Sequence, residues 1–291
     1  MKTGVFFHEE LIGKDWPIVG DRYENFTELI EMLPTDRVEI IRMEEVSEDL
    51  LLKVHTTEFL EEQKRAWYYR GAKLTVGGFV KACEMVWKGE LRNAVVFLVA
   101  AGHHAARSSA WGGTYLNCIG PALVRLRELG LKRLALIDTD AHHGDGDRDV
   151  LANDDSTLHL CFCWRDERRG TKICVNVRDC VGDDEKYLEK VRAEFETIRS
   201  FNPEMIVHFF GHDTHRDDYG SLGLSEDLYV RLAEEVKALA DEVCGGKYII
   251  LDGGGANREV ARYIWPRIIK ILSNYLNRVG PVHISIKLQN T

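Results

Sequence analysis

The chain has 291 residues, 45% of them hydrophobic, and a formal net charge of −9 at pH 7. That size can bury a large core, while the acidic balance speaks against a general affinity for nucleic acid, which needs a concentrated basic face, and favours small or cationic ligands. The first eight residues lack an apolar signal core, and no run of about 18 uncharged apolar residues exists to span a membrane, so a cytoplasmic protein without a membrane partner is expected.

In chain order, the apolar run at residues 3–7 reads as a first strand. The first quarter then turns more helical and more charged, with helical spacing over 22–33 and 56–67. The aromatic run Trp67-Tyr68-Tyr69 is placed to cap the main domain, to line a pocket or simply to pack. Beyond it, helix-length amphipathic segments at 76–88, 116–129, 184–200 and 226–243 are interspersed with strand-like runs at 94–100, 134–137, 157–162, 172–177, 205–210 and 247–251. Most of these runs are short, nearly continuous and rich in Val, Ile and Phe, as strands buried on both faces of a parallel sheet are. No linker interrupts the pattern, so residues 1–291 are expected to form one α/β domain of three layers.

Seven cysteines, at 83, 118, 161, 163, 174, 180 and 244, are scattered and include no Cys-x-x-Cys pair. Neither a disulfide framework nor a zinc ribbon is indicated. Most are expected as reduced thiols in or near the core, which leaves any metal to be held by histidines and carboxylates.

Two polar stretches each follow an apolar strand: Gly102-His103-His104-Ala105, and Asp138-Thr139-Asp140-Ala141-His142-His143-Gly144-Asp145-Gly146. Strand ends are where active sites collect in α/β folds. Alternation along a strand leaving the sheet puts Asp138, Asp140 and His142 on one side. A third strand end carries Gly211-His212-Asp213-Thr214-His215, and eight of the 11 histidines lie between positions 103 and 215. Asp140, His142 and Asp213 would make an open, oxygen-rich set of three donors that leaves room for water and substrate, which suits catalytic zinc better than structural zinc. Paired imidazoles can take and return the protons of a hydrolysis when each is oriented by a carboxylate, and Asp138 and Asp145 are the partners available to His103 and His104. Gly253-Gly254-Gly255 lacks the Lys-Ser/Thr ending of a phosphate loop and reads as tight backbone packing beside the site.

These motifs, with Asn176 through Gly182-Asp183-Asp184-Glu185-Lys186-Tyr187-Leu188 and Leu251-Asp252-Gly253-Gly254-Gly255, resemble in type and order the histone deacetylase and acetylpolyamine amidohydrolase family of the arginase-deacetylase superfamily, over about residues 75–271. The resemblance implies a single α/β domain with an eight-stranded parallel sheet. It also implies hydrolysis of an N-acyl amine (an acyl-lysine, an acylpolyamine or a small amide) with one Zn2+ per chain, or Fe2+ or another divalent metal. Carried over position by position, it makes Asp140, His142 and Asp213 the metal ligands and His103 and His104 the proton-transfer pair. Asp138 would serve His103 and Asp145 would serve His104, with His104 the general base and acid. Arginase-type relatives resemble Asp-Ala-His-x-Asp at the first site; here His143 and Gly144 follow His142, and Asp213-x-His215 replaces a later Asp-x-Asp, so one metal is expected rather than two.

Two positions depart from the family pattern. The glycine run of deacetylases ends in a tyrosine that stabilises the oxyanion, whereas Ala256 and Asn257 follow Gly255 here. His212, His215, Tyr219 and Asn257 are the candidates to replace that hydroxyl. In Trp111-Gly112-Gly113-Thr114-Tyr115-Leu116-Asn117, glycine stands where the family commonly has phenylalanine, which implies a wider or differently shaped channel. The alternatives to deacetylation are a catalytically silent homologue that holds metal and binds an acylated ligand or partner, and a hydrolase of another C–N bond.

Overall fold

All five residues of the strand Thr3–Phe7 are buried in the computed structural model, which describes residues 1–14, 21–31, 33 and 36–273. Successive side chains on a strand point to opposite faces, so both faces of the sheet are covered there. The strands are β1 (Thr3–Phe7), β2 (Val38–Arg42), β3 (Asn93–Val96), β4 (Leu134–Asp138), β5 (Thr157–Cys163), β6 (Glu167–Arg169), β7 (Lys172–Asn176), β8 (Met205–Phe210) and β9 (Tyr248–Asp252). They form one sheet in the order β2-β1-β3-β9-β8-β4-β5-β7-β6. Every pairing is parallel except β6 with β7. The expected eight parallel strands are present, and β6 adds an antiparallel edge.

Helices Tyr69–Trp87 and Arg258–Ser273 pack on β1 and β3, and Glu226–Cys244 packs on β8. None of the described helices is long and apolar enough to cross a membrane. The topology positions the site: the chain passes from β3 to β4, and β8 and β9 later fill the gap between them. The C-terminal ends of β3, β9, β8 and β4 therefore lie side by side at a switch point, where ligands bind in open α/β sheets.

Several expected elements differ in extent. The strand expected over 94–100 leaves the ladder after Val96, because the Thr75 hydroxyl bonds both the N–H and the carbonyl of Val99 in place of a strand partner. The helix expected over 22–33 spans Phe26–Glu31, and Met32 lies outside the described residues. The segment 184–200 is two helices, Asp184–Ala193 and Phe195–Phe201, broken at Glu194, whose buried carboxylate accepts from Arg168 and from Thr197 Oγ1. The helix expected from 76 begins at Tyr69, and the one expected from 116 begins at Ile119. Tyr68 stacks on Tyr115 at 3.6 Å, Tyr69 is buried and Trp67 is exposed; none of the three lines the central cleft.

Buried histidines away from that cleft make stability sensitive to acid. Burial holds His55 at a pKa of about 4 and His208 at about 3, with His208 between Thr139 and the Tyr248 hydroxyl. Both are depressed below the ordinary value of about 6.5, so the unfolded chain binds more protons as pH falls. Their contribution is complete above pH ~6.5 and shrinks below it by up to about 1.4 kcal/mol per pH unit for each group. The guanidinium unfolding midpoint is accordingly expected to drop between pH 7 and pH 5, less steeply in His55→Gln. A midpoint with the same pH dependence in wild type and variant would contradict this account.

Candidate active site

Asp138, Asp140 and His142 lie on the segment that carries β4 out of the sheet, and Asp213 lies just beyond β8, its immediate neighbour. His142 Nδ1 sits 2.9 Å from Asp140 Oδ1 and 3.0 Å from Asp213 Oδ2, so three donor atoms converge on one point. The carboxylates are held in place by backbone. Asp140 accepts from His142 N at 2.9 Å and, through its other oxygen, from Gly254 N at 2.8 Å; Asp213 Oδ1 accepts from Ala141 N at 3.0 Å. Gly254 has to be glycine, because a Cβ there would stand 2.3 Å from Asp140 Oδ2.

Two buried carboxylates this close repel. Burial first, and then the charge of Asp140, push the Asp213 carboxyl up to about 7, whereas His103 and His142 outweigh burial at Asp140 and hold its carboxyl well below the usual range. Hydrogen bonds that His142 donates to these two carboxylates drive its pKa up to about 11. A cation at the convergence point would relieve the same repulsion that His142 otherwise balances. The donor set, one imidazole and two carboxylates open to the cleft, fits a divalent metal of the zinc or iron type.

The two histidines after β3 face this point. His103 Nδ1 contacts Asp138 Oδ2 at 2.8 Å, and His104 Nδ1 contacts Asp145 Oδ1 at 2.7 Å. A carboxylate at Nδ1 requires the proton there, which leaves both Nε2 atoms to meet at 3.1 Å in the cleft. Burial opposes a charge on His103, but Asp138 and Asp140 together outweigh it and raise its pKa to about 9. Burial and then the His103 charge lower that of His104. One member of the pair is thus held charged and the other neutral.

The cleft has a volume of about 260 Å³ and is bounded by His103, His104, Trp111, Tyr219, Phe209 and the 253–255 glycines. Its aromatic wall is Trp111, which lies 3.8 Å from the His104 ring and donates from Nε1 to Asp145 Oδ2 at 2.8 Å. Gly112 keeps His104 in place, since a Cβ at its φ of +62° would come within 2.8 Å of the imidazole.

Of the four candidates for the missing hydroxyl, Tyr219 alone lines the cleft. His212 is fully buried, beneath Gly255, and His215 turns to Glu226. Asn257 caps the last described helix by accepting from Glu259 N and Val260 N. The Tyr219 ring is half-exposed at 5.8 Å from His142, and its oxygen accepts from Gly255 N at 2.9 Å. With that lone pair engaged, its own O–H is left to donate. Burial, then Asp213 and Asp140, push its pKa up, so the phenol stays protonated.

A histone deacetylase domain pattern matches residues 65–272. The chain belongs to the histone deacetylase family. It is 27% identical to a probable deacetylase of Archaeoglobus fulgidus over 87% of this chain and 81% of that one. A histone deacetylase-like amidohydrolase of Pseudomonas aeruginosa is 24% identical over 88% and 76%, and the acetoin utilization protein AcuC of Bacillus subtilis 30% over 70% and 57%. The crystal structure of the HDA15 HD domain shares the fold at a TM-score of 0.81 and 21% identity, covering 94% of this chain and 89% of that one. Membership supports deacetylase or amidohydrolase chemistry.

Some residues of this histone deacetylase homologue carried no sequence signal. Arg22, buried, donates from Nη1 to the carbonyls of Gly253 at 2.6 Å and Gly255 at 3.2 Å, and from Nη2 to Leu98 at 3.0 Å, tying the glycine loop to the segment after β3. All seven cysteines are free and buried, as expected, but Cys161, Cys163 and Cys174 gather apart from the main core and meet His143, so histidines and carboxylates are not the only donors gathered in this fold. The register of β5 with β7 brings them together, a pairing invisible in linear spacing.

Proposed function

We propose that this protein is a zinc-dependent amide hydrolase that cleaves an N-acyl amine, an acyl-lysine, an acylpolyamine or a small amide. The reading is carried by the convergence in one cleft of the Asp140-His142-Asp213 donor set with the two carboxylate-backed histidines. Asp140, His142 and Asp213 would hold the cation, which when bound polarises the amide carbonyl and acidifies water.

The chain's own groups handle the protons. Neutral His104, oriented by Asp145, takes the proton of the attacking water through Nε2 and returns it to the departing amine. His103 stays charged on buried Asp138 and steadies the negative charge that develops beside it. Tyr219 donates its O–H to the former carbonyl oxygen, the task that Ala256 cannot perform. Trp111 walls the cleft and holds Asp145 in line.

The test is turnover, by mass spectrometry, of a panel of acylated lysines, polyamines and small amides by the zinc-loaded protein. Hydrolysis of any member supports the proposal and defines the substrate class. Zinc bound at Asp140, with no turnover across the panel, overturns it in favour of a binding protein. Tyr219→Phe is expected to lower kcat about 10²- to 10³-fold, as loss of one oxyanion donor does, with metal content unchanged. A variant within threefold of wild type would remove Tyr219 from the mechanism.

A further inference from the structure

Cys161 and Cys163 are two residues apart on β5 and so share a face, and Cys174 is the register partner of Cys161 on parallel β7. His143, on the segment after β4, closes over the three thiols. Its Nδ1 is 3.5 Å from Cys174 Sγ, 3.6 Å from Cys163 Sγ and 3.9 Å from Cys161 Sγ. A tetrahedral zinc with bonds of about 2.3 Å to sulfur and 2.0–2.1 Å to nitrogen separates its nitrogen and sulfur donors by about 3.6 Å. The three distances therefore match the three nitrogen–sulfur edges of a coordination tetrahedron. All four residues are buried, and the thiols form an apolar island apart from the main core.

Charge supplies a second observation. Three thiolates and a neutral imidazole around a divalent cation leave one net negative charge, which a buried site has to balance. Arg148 provides the counter-charge: its Nη2 lies 3.1 Å from Cys174 Sγ, and its buried Nε and Nη1 have no hydrogen-bond partner among the described residues. Cys161 also lies near Asp138 and His159, but the Asp138 oxygen nearest His159 is already held by His103 at 2.8 Å.

We propose that His143, Cys161, Cys163 and Cys174 form a second metal site, a closed Cys3His site for a thiophilic divalent cation such as zinc. Filling it releases the thiol protons and fastens the 142–145 segment, which carries His142 and Asp145, to β5 and β7. With four protein ligands it has no open position, and its role is to anchor the cleft wall.

Co2+ alone distinguishes the two sites, because only a sulfur-ligated site gives thiolate-to-cobalt charge-transfer absorption. The full chain, stripped and reloaded, is expected to take up two Co2+ and show that band. Asp140→Ala should bind one Co2+ and keep the band, so failure of the catalytic reading leaves this one testable. Cys174→Ser should lose the band and bind one. Uptake by the wild-type chain with no thiolate band overturns the proposal. So does finding, in denatured unreduced protein, two fewer free thiols than the seven in the sequence, since the cluster would then close a disulfide.

Discussion

Asp140→Ala is expected to empty the Asp140-His142-Asp213 site and to lower kcat/KM by about 10³-fold or more, because a catalytic cation contributes several kcal/mol to the transition state and each 1.36 kcal/mol is tenfold. Asp140 has two jobs: one oxygen faces His142 Nδ1 and the other anchors the glycine loop through Gly254 N. Removing it loses a ligand and frees the loop that bounds the cleft. His142→Ala removes a ligand from a more exposed side chain and leaves the loop contact intact, so it should lose metal and activity with less effect on Tm. Metal analysis, turnover and a melting curve on the same preparations decide this. Wild-type metal content and turnover in both variants would remove Asp140 and His142 as ligands of a catalytic metal.

His104→Ala is expected to lower kcat by about 10²- to 10⁴-fold, the range of a general acid–base group, while metal content stays at the wild-type level. The partner left behind, Asp145, is about half exposed and can be hydrated, so the variant should fold normally. His103→Ala presents the opposite case. It leaves Asp138 fully buried without its partner, and an orphaned buried charge costs about 3–5 kcal/mol. That variant should unfold at markedly lower denaturant, whatever its activity. Equal stability losses in the two variants would mean that the two His–Asp pairs do not divide their work as proposed.

The motifs were legible because each falls at the end of an apolar run, and strand ends in a parallel sheet share one edge. His103, Asp138 and Asp140 could be placed from that rule alone. Edge strands were less legible. Glu167–Arg169 is exposed at every residue and carries no apolar signal, and β2 alternates too weakly to stand out from charged surroundings. Helix Arg258–Ser273 has buried Val260, Ala261, Ile264, Trp265, Ile268 and Ile269 at helical spacing, but Pro266 inside it reads as a breaker. Tyr219 and His215 have equal standing in the sequence, and only the turn that sends His215 to Glu226 separates them.

By itself the sequence determined the parallel α/β architecture and the donor types, because apolar periodicity and short-range spacing are local properties of the chain; which carboxylate serves which histidine was implied only by the family resemblance. Tertiary structure decided which hydroxyl faces the cleft, that Arg22 clamps a loop about 230 residues away, and that three scattered cysteines converge on His143. Those contacts depend on strand order and register, and parallel strands joined by long crossovers bring together residues that no spacing rule relates.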